Sequence, residues 1–122
     1  MAEAAPRIRL LLIDDHALFR EGLVRLLATE PDLDVVAHCA TVSDGIAVLG
    51  SVAVDVVLLD VDLGNQRGFD FLVRARRSGF KGPVLVVTAG ISTREAAALL
   101  SHGAAGIVLK QDTPQLLAAG IR

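Results

Sequence analysis

Residues 8–15 have the sequence IRLLLIDD, a short apolar run that stops abruptly at two acidic residues. A run of this length, rich in Leu and Ile, predicts a strand buried on both faces, as in parallel sheets. Three later runs have the same form, at residues 54–59, 83–87 and 106–109, and a weaker one covers residues 34–37. The sequence therefore predicts five short strands, the first of them at Ile8–Ile13.

The segments between these runs have apolar residues at helical spacing. Residues 17–29 place Leu18, Phe19 and four later apolar or small residues on one stripe and leave Arg20 facing water. Further helices are predicted at residues 43–49, 69–78 and 92–102, the last opened by Ser92 in a capping box. Thr113 and Pro114 open a fifth helix, which we expect to be cut short at the end of the chain.

Strand and helix alternate five times within 122 residues, a length typical of one domain. Crossovers between parallel strands are right-handed, and five such units form an open sheet rather than a closed barrel. We expect an α/β fold of five parallel strands in a doubly wound sheet with helices on both faces.

The composition excludes several classes of protein. Hydrophobic residues make up 52% of the chain, so it is not disordered, and its single cysteine forms neither a disulfide framework nor a cysteine zinc cage. A net charge of −2 with no Trp or Tyr argues against nucleic-acid binding. No signal peptide or membrane span is predicted, so we expect a cytoplasmic protein.

Polar residues end four of the five predicted strands: Asp14 and Asp15, Asp60, Thr88, and Lys110. In open α/β sheets, ligands bind outside the carboxyl ends of the strands, where these side chains would meet. Three carboxylates in one pocket need a cation, and oxygen ligands suit Mg²⁺. One carboxylate could also act as a nucleophile toward a phosphoryl group. Each residue alone has an ordinary alternative, since an Asp after a strand commonly caps the next helix.

Four segments carry a resemblance to a known family: IRLLLIDDHALFREGL, VVLLDVDL, VLVVTA and HGAAGIVLK. Together they resemble the receiver domain of bacterial two-component response regulators, and the DDH opening is similar to the NarL/LuxR-like subfamily. The resemblance covers residues 1–122 and implies a flavodoxin-like (βα)5 fold.

By this resemblance Asp60 matches the phosphoacceptor. Asp15 matches a direct Mg²⁺ ligand, Asp14 a carboxylate that acts through water, and the backbone carbonyl of Asp62 a third protein ligand. The implied cofactor is Mg²⁺, and the implied donor is a sensor histidine kinase. Such a domain is no metabolic enzyme, because it catalyses only its own phosphorylation and dephosphorylation.

Two more matches complete the implied site. Thr88, followed by the small Ala89, matches the hydroxyl that moves toward the phosphoryl group, and Lys110 matches the cation that binds a phosphoryl oxygen. Ile107 departs from the family, because receivers often carry Tyr or Phe there as part of the switch. Gly64 and Gln111 stand where many receivers have Pro.

Three functions remain open at this point. The leading one is a phosphorylation-controlled switch whose output is transcription, through a DNA-binding domain that we do not expect within this chain. The second is a receiver-like interaction module that is not regulated by phosphorylation. The third, a flavin carrier, lacks a phosphate-binding loop rich in Ser and Thr after the first strand. A homodimer through the first and last helices is a further expectation.

Three histidines and one basic segment could have either functional or purely structural roles. His16 could contact the rim of the pocket or simply face solvent at the start of a helix. His38 and His102 lack ligand spacing with Cys39. The basic residues at 74–77 most simply form a solvated helix face.

Overall fold

The computed structural model describes residues 7–63, 66–112 and 121. Seven strands and four helices follow one another along these residues. In chain order they are β1 (Ile8–Ile13), α1 (Ala17–Leu27), β2 (Leu33–Cys39), α2 (Val42–Ser51), β3 (Val56–Leu59), β4 (Asp62–Leu63), β5 (Gln66–Arg67), α3 (Gly68–Arg77), β6 (Val84–Thr88), α4 (Thr93–Ser101) and β7 (Gly106–Leu109). A 3₁₀ turn at Lys110–Asp112 follows β7.

The main sheet has five parallel strands in the order β2-β1-β3-β6-β7. This is the flavodoxin-like order, in which the chain direction across the sheet reverses between β1 and β3. Strands β4 and β5 form a separate antiparallel pair of two residues each, which the sequence patterns did not predict. The predicted doubly wound fold is confirmed.

Alternation along the strands divides the core into two layers. Leu11 and Ile13 of β1 pack with residues of α2, α3 and α4 on one face of the sheet. Leu10 and Leu12 pack with Leu23 and other residues of α1 on the opposite face. Successive side chains of a strand point to opposite faces, so one apolar run supplies both layers.

The first helix differs from its predicted amphipathic stripe. Leu18 is 87% exposed and Leu26 is 38% exposed, whereas Leu23 and Leu27 are buried. Arg20, predicted to face water, is half-buried. The inward face of α1 is narrower than predicted: Leu23 and Leu27 are buried, and Phe19 and Val24 are partly buried against the same core layer.

Most element boundaries shift by one or two residues. Strand β2 is longer than predicted, β3 begins at Val56 rather than residue 54, and Thr88 is the last residue of β6 rather than the residue after it. Ser92 does cap α4, accepting a hydrogen bond from the Glu95 backbone. The predicted fifth helix from Thr113, the side chain of Asp62 and residue Gly64 lie outside the described part of the chain.

Arg76 was predicted to face solvent, and that prediction is wrong. Its guanidinium group donates hydrogen bonds to the backbone carbonyls of Phe80 and Gly82, at 2.9 and 2.8 Å, and to Gly103 at 3.3 Å. The side chain thus ties the end of α3 to the loops before β6 and β7.

Candidate functional site

The site lies at the carboxyl ends of β1 and β3, the neighbouring strands at which the chain changes the direction in which it adds strands to the sheet. The backbone N–H of Asp60 donates to the carbonyl of Ile13 at 2.9 Å, which brings Asp60 beside the end of β1. Asp14 continues β1 in the same way, donating to Cys39 of β2 at 3.0 Å. Asp14 and Asp60 are 6% and 2% exposed, so both carboxylates are buried.

Lys110 supplies the cation that faces these two carboxylates. Its Nζ atom lies 2.8 Å from Asp14 Oδ2 and 3.1 Å from Asp60 Oδ2. The Phe19 ring covers the ammonium group, with 4.4 Å between Nζ and the ring centroid. Burial alone would lower the pKa of Lys110, but hydrogen bonds and charge from Asp14 and then Asp60 raise the pKa above its ordinary value. The lysine therefore stays charged in the pocket.

Asp15 and His16 complete the acidic cluster from its solvent side. The His16 Nδ1 atom lies 3.1 Å from Asp14 Oδ1, 3.3 Å from Asp15 Oδ1 and 3.4 Å from Asp60 Oδ2. His16 is also the residue that precedes α1, and its backbone N–H donates to Asp14 at 2.8 Å. Both interpretations of His16 hold in part, because Nδ1 contacts the pocket while 57% of the side chain remains exposed to solvent.

Arg20 is a residue of this site that the sequence patterns missed. Its Nη1 donates a 2.6 Å hydrogen bond to the backbone carbonyl of Asp14, and its Nε donates to His38 Nδ1 at 3.1 Å. The side chain thus reaches from α1 to the ends of β1 and β2. The sequence predicted Arg20 on the solvent-facing side of α1. Helical periodicity could not reveal its role, because periodicity does not show which strand ends the side chain can reach.

Thr88 ends β6 at the same edge of the sheet and is 2% exposed. Its hydroxyl donates to the carbonyl of Gly90 at 3.1 Å and lies 3.3 Å from the N–H of the same residue. The hydroxyl is therefore engaged by the loop that follows β6. Ile107 in the neighbouring β7 is half-buried and packs against the core layer that contains α3 and α4.

The donor atoms fit a divalent cation. One ligand atom each from Asp14, Asp15, His16 and Asp60 can be chosen so that all four lie within 4.8 Å of one another. Carboxylates are the ligands that Mg²⁺ prefers. The backbone of Asp62 lies in β4, shortly after Asp60.

The remaining candidates lie elsewhere or have structural roles. His102 ends α4 and stacks edge-on against Phe69 with 4.6 Å between ring centroids. Burial raises the pKa of the Cys39 thiol to about 11, so the thiol stays protonated and unreactive at neutral pH. These residues take no part in the cluster.

Comparisons with known proteins agree with this geometry. The family described as "Response regulator receiver domain" matches residues 10–122. The nitrate/nitrite response regulator protein NarP of Escherichia coli is 33% identical over the whole chain, which corresponds to 56% of that protein. The DNA-binding transcriptional activator DevR/DosR of Mycobacterium tuberculosis is 30% identical over 94% of this chain and 53% of its own length. This chain thus spans about half the length of these relatives.

A solved structure gives the same result. The signal receiver domain of a NarL response regulator from Mycobacterium tuberculosis has a TM-score of 0.83 and is 27% identical. The match covers 95% of this chain and 98% of that structure.

Among the described residues, no helix is both long enough and apolar enough to cross a membrane.

Proposed function

The chain belongs to the receiver-domain family of two-component response regulators, in its NarL/LuxR-like branch, and from this premise we propose that Asp60 is its phosphoacceptor. The donor is the phosphohistidine of a sensor histidine kinase. A single observation supports the assignment most: Asp60 is buried at the switch point with its carboxylate 3.1 Å from Lys110 Nζ. As a receiver, the protein is a regulator rather than a metabolic enzyme.

The proposed reaction transfers one phosphoryl group. A carboxylate oxygen of Asp60 attacks the phosphorus atom, and the P–N bond breaks as its electron pair returns to the donor's imidazole nitrogen. An acyl phosphate forms on Asp60. Lys110, already directed at this carboxylate, then binds a phosphoryl oxygen and offsets its charge. Later attack by water releases inorganic phosphate and restores the carboxylate.

The proposed cofactor is Mg²⁺, held by Asp14, Asp15, Asp60 and the backbone carbonyl of Asp62. A bound Mg²⁺ would share the negative charge of the phosphoryl oxygens. The single positive charge of Lys110 offsets only one of the three carboxylate charges of Asp14, Asp15 and Asp60. The remaining negative charge favours a divalent cation. Arg20 fixes the backbone at Asp14 and so holds the first of these carboxylates in place.

The proposed output is a change around Thr88. When its hydroxyl turns from Gly90 toward the phosphoryl group, it releases the loop that leads to α4. Ile107 packs beside this region and takes the place of the usual aromatic residue. We further propose that the switch controls transcription through a DNA-binding region of the kind named for DevR/DosR, and that the protein is cytoplasmic and forms homodimers.

Phosphoryl uptake tests the proposal directly. Wild-type protein is incubated with Mg²⁺ and acetyl phosphate, and intact mass spectrometry counts the phosphoryl groups gained. We expect one group on the wild type, none on Asp60→Asn, and one on the control Asp44→Asn, whose side chain is exposed on α2. Uptake by Asp60→Asn at the wild-type rate would refute the assignment.

Amide NMR with beryllofluoride and Mg²⁺ separates the switch from the phosphate-independent module. The switch predicts Mg²⁺-dependent shifts at Asp60, Thr88 and Lys110 that extend into α4 and β7. The interaction module predicts no such shifts. Shifts confined to the pocket would mean that Ile107 uncouples phosphorylation from the outer surface.

A further inference from the structure

The ring of Phe19 is an aromatic contact of the pocket that the proposed function leaves unused. It faces the ammonium group of Lys110, with 4.4 Å between Nζ and the ring centroid. Within about 6 Å of the centroid, the negative face of an aromatic ring attracts a cation. Only 12% of the Lys110 side chain is exposed, so the ring fills part of the space in which water would otherwise solvate the ammonium group. Cation–π contacts are strongest when they are desolvated in this way.

The hydrophobic core fixes the position of this ring. Phe19 lies in the first turn of α1 and packs, partly buried, against the core layer that contains Leu23. On the side of the pocket it lines, together with Asp14 and Asp60, a cavity of about 10 Å³. A cavity of this size holds one water molecule at most. The ring therefore closes one side of the pocket to bulk water, and its packing keeps it beside Lys110.

The ionic contacts of Lys110 are shared with the proposed cation, whereas the contact with the ring is not. Nζ lies 2.8 Å from Asp14 Oδ2 and 3.1 Å from Asp60 Oδ2. Both carboxylates belong to the proposed Mg²⁺ site, so a divalent cation there repels the ammonium group and competes with it for the same carboxylates. The ring of Phe19 offers a hard cation no oxygen ligand and takes no part in this competition. Its attraction for Lys110 therefore remains when the carboxylates bind a metal.

The contact with the ring also tolerates movement of the ammonium group. A hydrogen bond weakens steeply when its length or angle changes, whereas the attraction of a cation extends over the whole face of a ring. Lys110 can therefore move from Asp14 toward an oxygen of a phosphoryl group on Asp60 without leaving Phe19. The proposed reaction requires this movement of Lys110.

We propose that Phe19 is a positioning residue, whose π face keeps the ammonium group of Lys110 beside Asp60 when Mg²⁺ occupies the carboxylates. The proposal rests on the proposed function and gives α1 a part in it. Phe19 acts through Lys110 and binds neither the phosphoryl group nor the metal. Weakening of its π face should slow phosphoryl uptake, because Lys110 then spends less time where it can bind a phosphoryl oxygen.

Fluorination of the ring separates the charge of its π face from its volume. Fluorine withdraws electron density from the face and changes the size of the ring little, so mono-, di- and trifluorinated phenylalanine in place of Phe19 weaken the attraction stepwise. We expect the rate of phosphoryl uptake from acetyl phosphate, at saturating Mg²⁺, to fall in steps and to be about three- to tenfold lower with the trifluorinated ring. Phe19→Leu should lose about tenfold, and Phe19→Tyr, which keeps the π face, should stay within about twofold of the wild type.

The same fluorinated residues in place of Phe71 are the matched control, because Phe71 is fully buried in the core layer on the opposite face of the sheet. They should leave the rate of phosphoryl uptake unchanged. A rate that does not respond to fluorination of Phe19 would overturn the proposal, even with a slow Phe19→Leu, since Phe19 would then act through packing alone.

A second measurement follows Lys110 itself and needs no reaction. The chain has two lysines, Lys81 and Lys110, so lysine-labelled protein gives two sets of side-chain NMR signals. The face of a ring shifts the protons that lie over it upfield. We expect this shift for the ε-methylene protons of Lys110 and not for those of the exposed Lys81, both before and after Mg²⁺ is added. With the trifluorinated ring, Mg²⁺ should reduce the shift.

The two measurements distinguish failure of this proposal from failure of the proposed function. If Mg²⁺ abolishes the upfield shift of Lys110 in the wild type, the ring does not retain the ammonium group and the proposal is wrong. A wild type that keeps the shift with Mg²⁺ but takes up no phosphoryl group refutes the proposed function alone.

Discussion

The ammonium group of Lys110 lies 3.1 Å from the carboxylate of Asp60, although 50 residues separate them in the chain. Both side chains are largely buried, with 12% and 2% of their surface exposed. A buried ion pair fixes the geometry of the pocket more than it adds stability, because both charges lose hydration. Removal of one partner leaves the other uncompensated.

We therefore expect Lys110→Met to lower the free energy of unfolding by about 3 kcal/mol in the absence of Mg²⁺. Asp14 and Asp60 would lose the cation that both contact. Urea unfolding measures the change, and Lys81→Met, at an exposed position, is the control. Added Mg²⁺ should recover part of the loss; a change below about 0.5 kcal/mol, typical of surface positions, would contradict the buried-pair interpretation.

Arg20→Gln tests whether Arg20 positions Asp14. Loss of the charged hydrogen bond to the Asp14 carbonyl should cost about 1.5–3 kcal/mol of unfolding free energy. Mg²⁺ affinity should fall several-fold, because the carboxylate next to that carbonyl is no longer held in place. Arg25→Gln, exposed on the same helix, should change neither quantity appreciably. Calorimetric Mg²⁺ titrations decide the point, and unchanged affinity in Arg20→Gln would exclude a positioning role.

Two glycine-to-alanine substitutions should have opposite effects. A Cβ atom at Gly68 would lie 2.8 Å from both the Asp60 carbonyl oxygen and Val61 Cα, so backbone must move and stability should fall by about 1–3 kcal/mol. At Gly22, in α1, a Cβ meets nothing within 4 Å, and alanine should stabilise the helix by about 0.5–1 kcal/mol. Thermal unfolding compares them, and a neutral Gly68→Ala would disprove the close contact.

The Arg9–Asp55 pair predicts a pH dependence at the opposite end of the sheet. A bidentate contact at 3.0 Å, with hydrogen bonds from the Arg9 side chain and backbone, lowers the pKa of Asp55 below its ordinary 3.8. Because the folded-state pKa is lowered, this contribution to stability is present above pH 3.8 and is lost as pH falls through the folded value. The difference in unfolding free energy between wild type and Asp55→Asn should vanish there.

Urea unfolding from pH 6 down to about pH 2 measures this difference, because the range must extend well below the ordinary pKa of 3.8. The pair is solvent-exposed, so salt should also reduce its contribution. A difference between the two proteins that stays constant with pH would show that Asp55 acts through packing rather than charge.

Local patterns predicted most of the fold. The apolar run at Ile8–Ile13 has a strand of those bounds, and the run at Gly106–Leu109 likewise, because both end at polar or turn residues. Other boundaries differ from the prediction where the flanking residues are compatible with either a strand or a loop. Strand β3, for example, begins at Val56 rather than at residue 54. The two-residue pair β4–β5 was missed because strands so short have no periodicity to detect.

The candidate site was predictable in part. Asp14, Asp60 and Lys110 each follow an apolar run, and parallel strand order alone implies that they meet at one sheet edge. Arg20 was not assigned to the pocket from the sequence, and for His16 contact with the pocket was one of two open alternatives. Each residue lies in or beside a helix whose rotation about its axis the sequence does not fix. The exposure of Leu18, predicted to be inward, has the same cause.

The sequence by itself determined which residues form the strands of the main sheet and which polar residues end them, because strands buried on both faces consist of short, continuous apolar runs. Only the tertiary structure decided that Lys110 contacts both Asp14 and Asp60, that Arg20 holds the Asp14 backbone and that His16 Nδ1 faces three carboxylates. These are distances of about 3 Å between side chains from separate elements, and they depend on how each helix packs against the sheet.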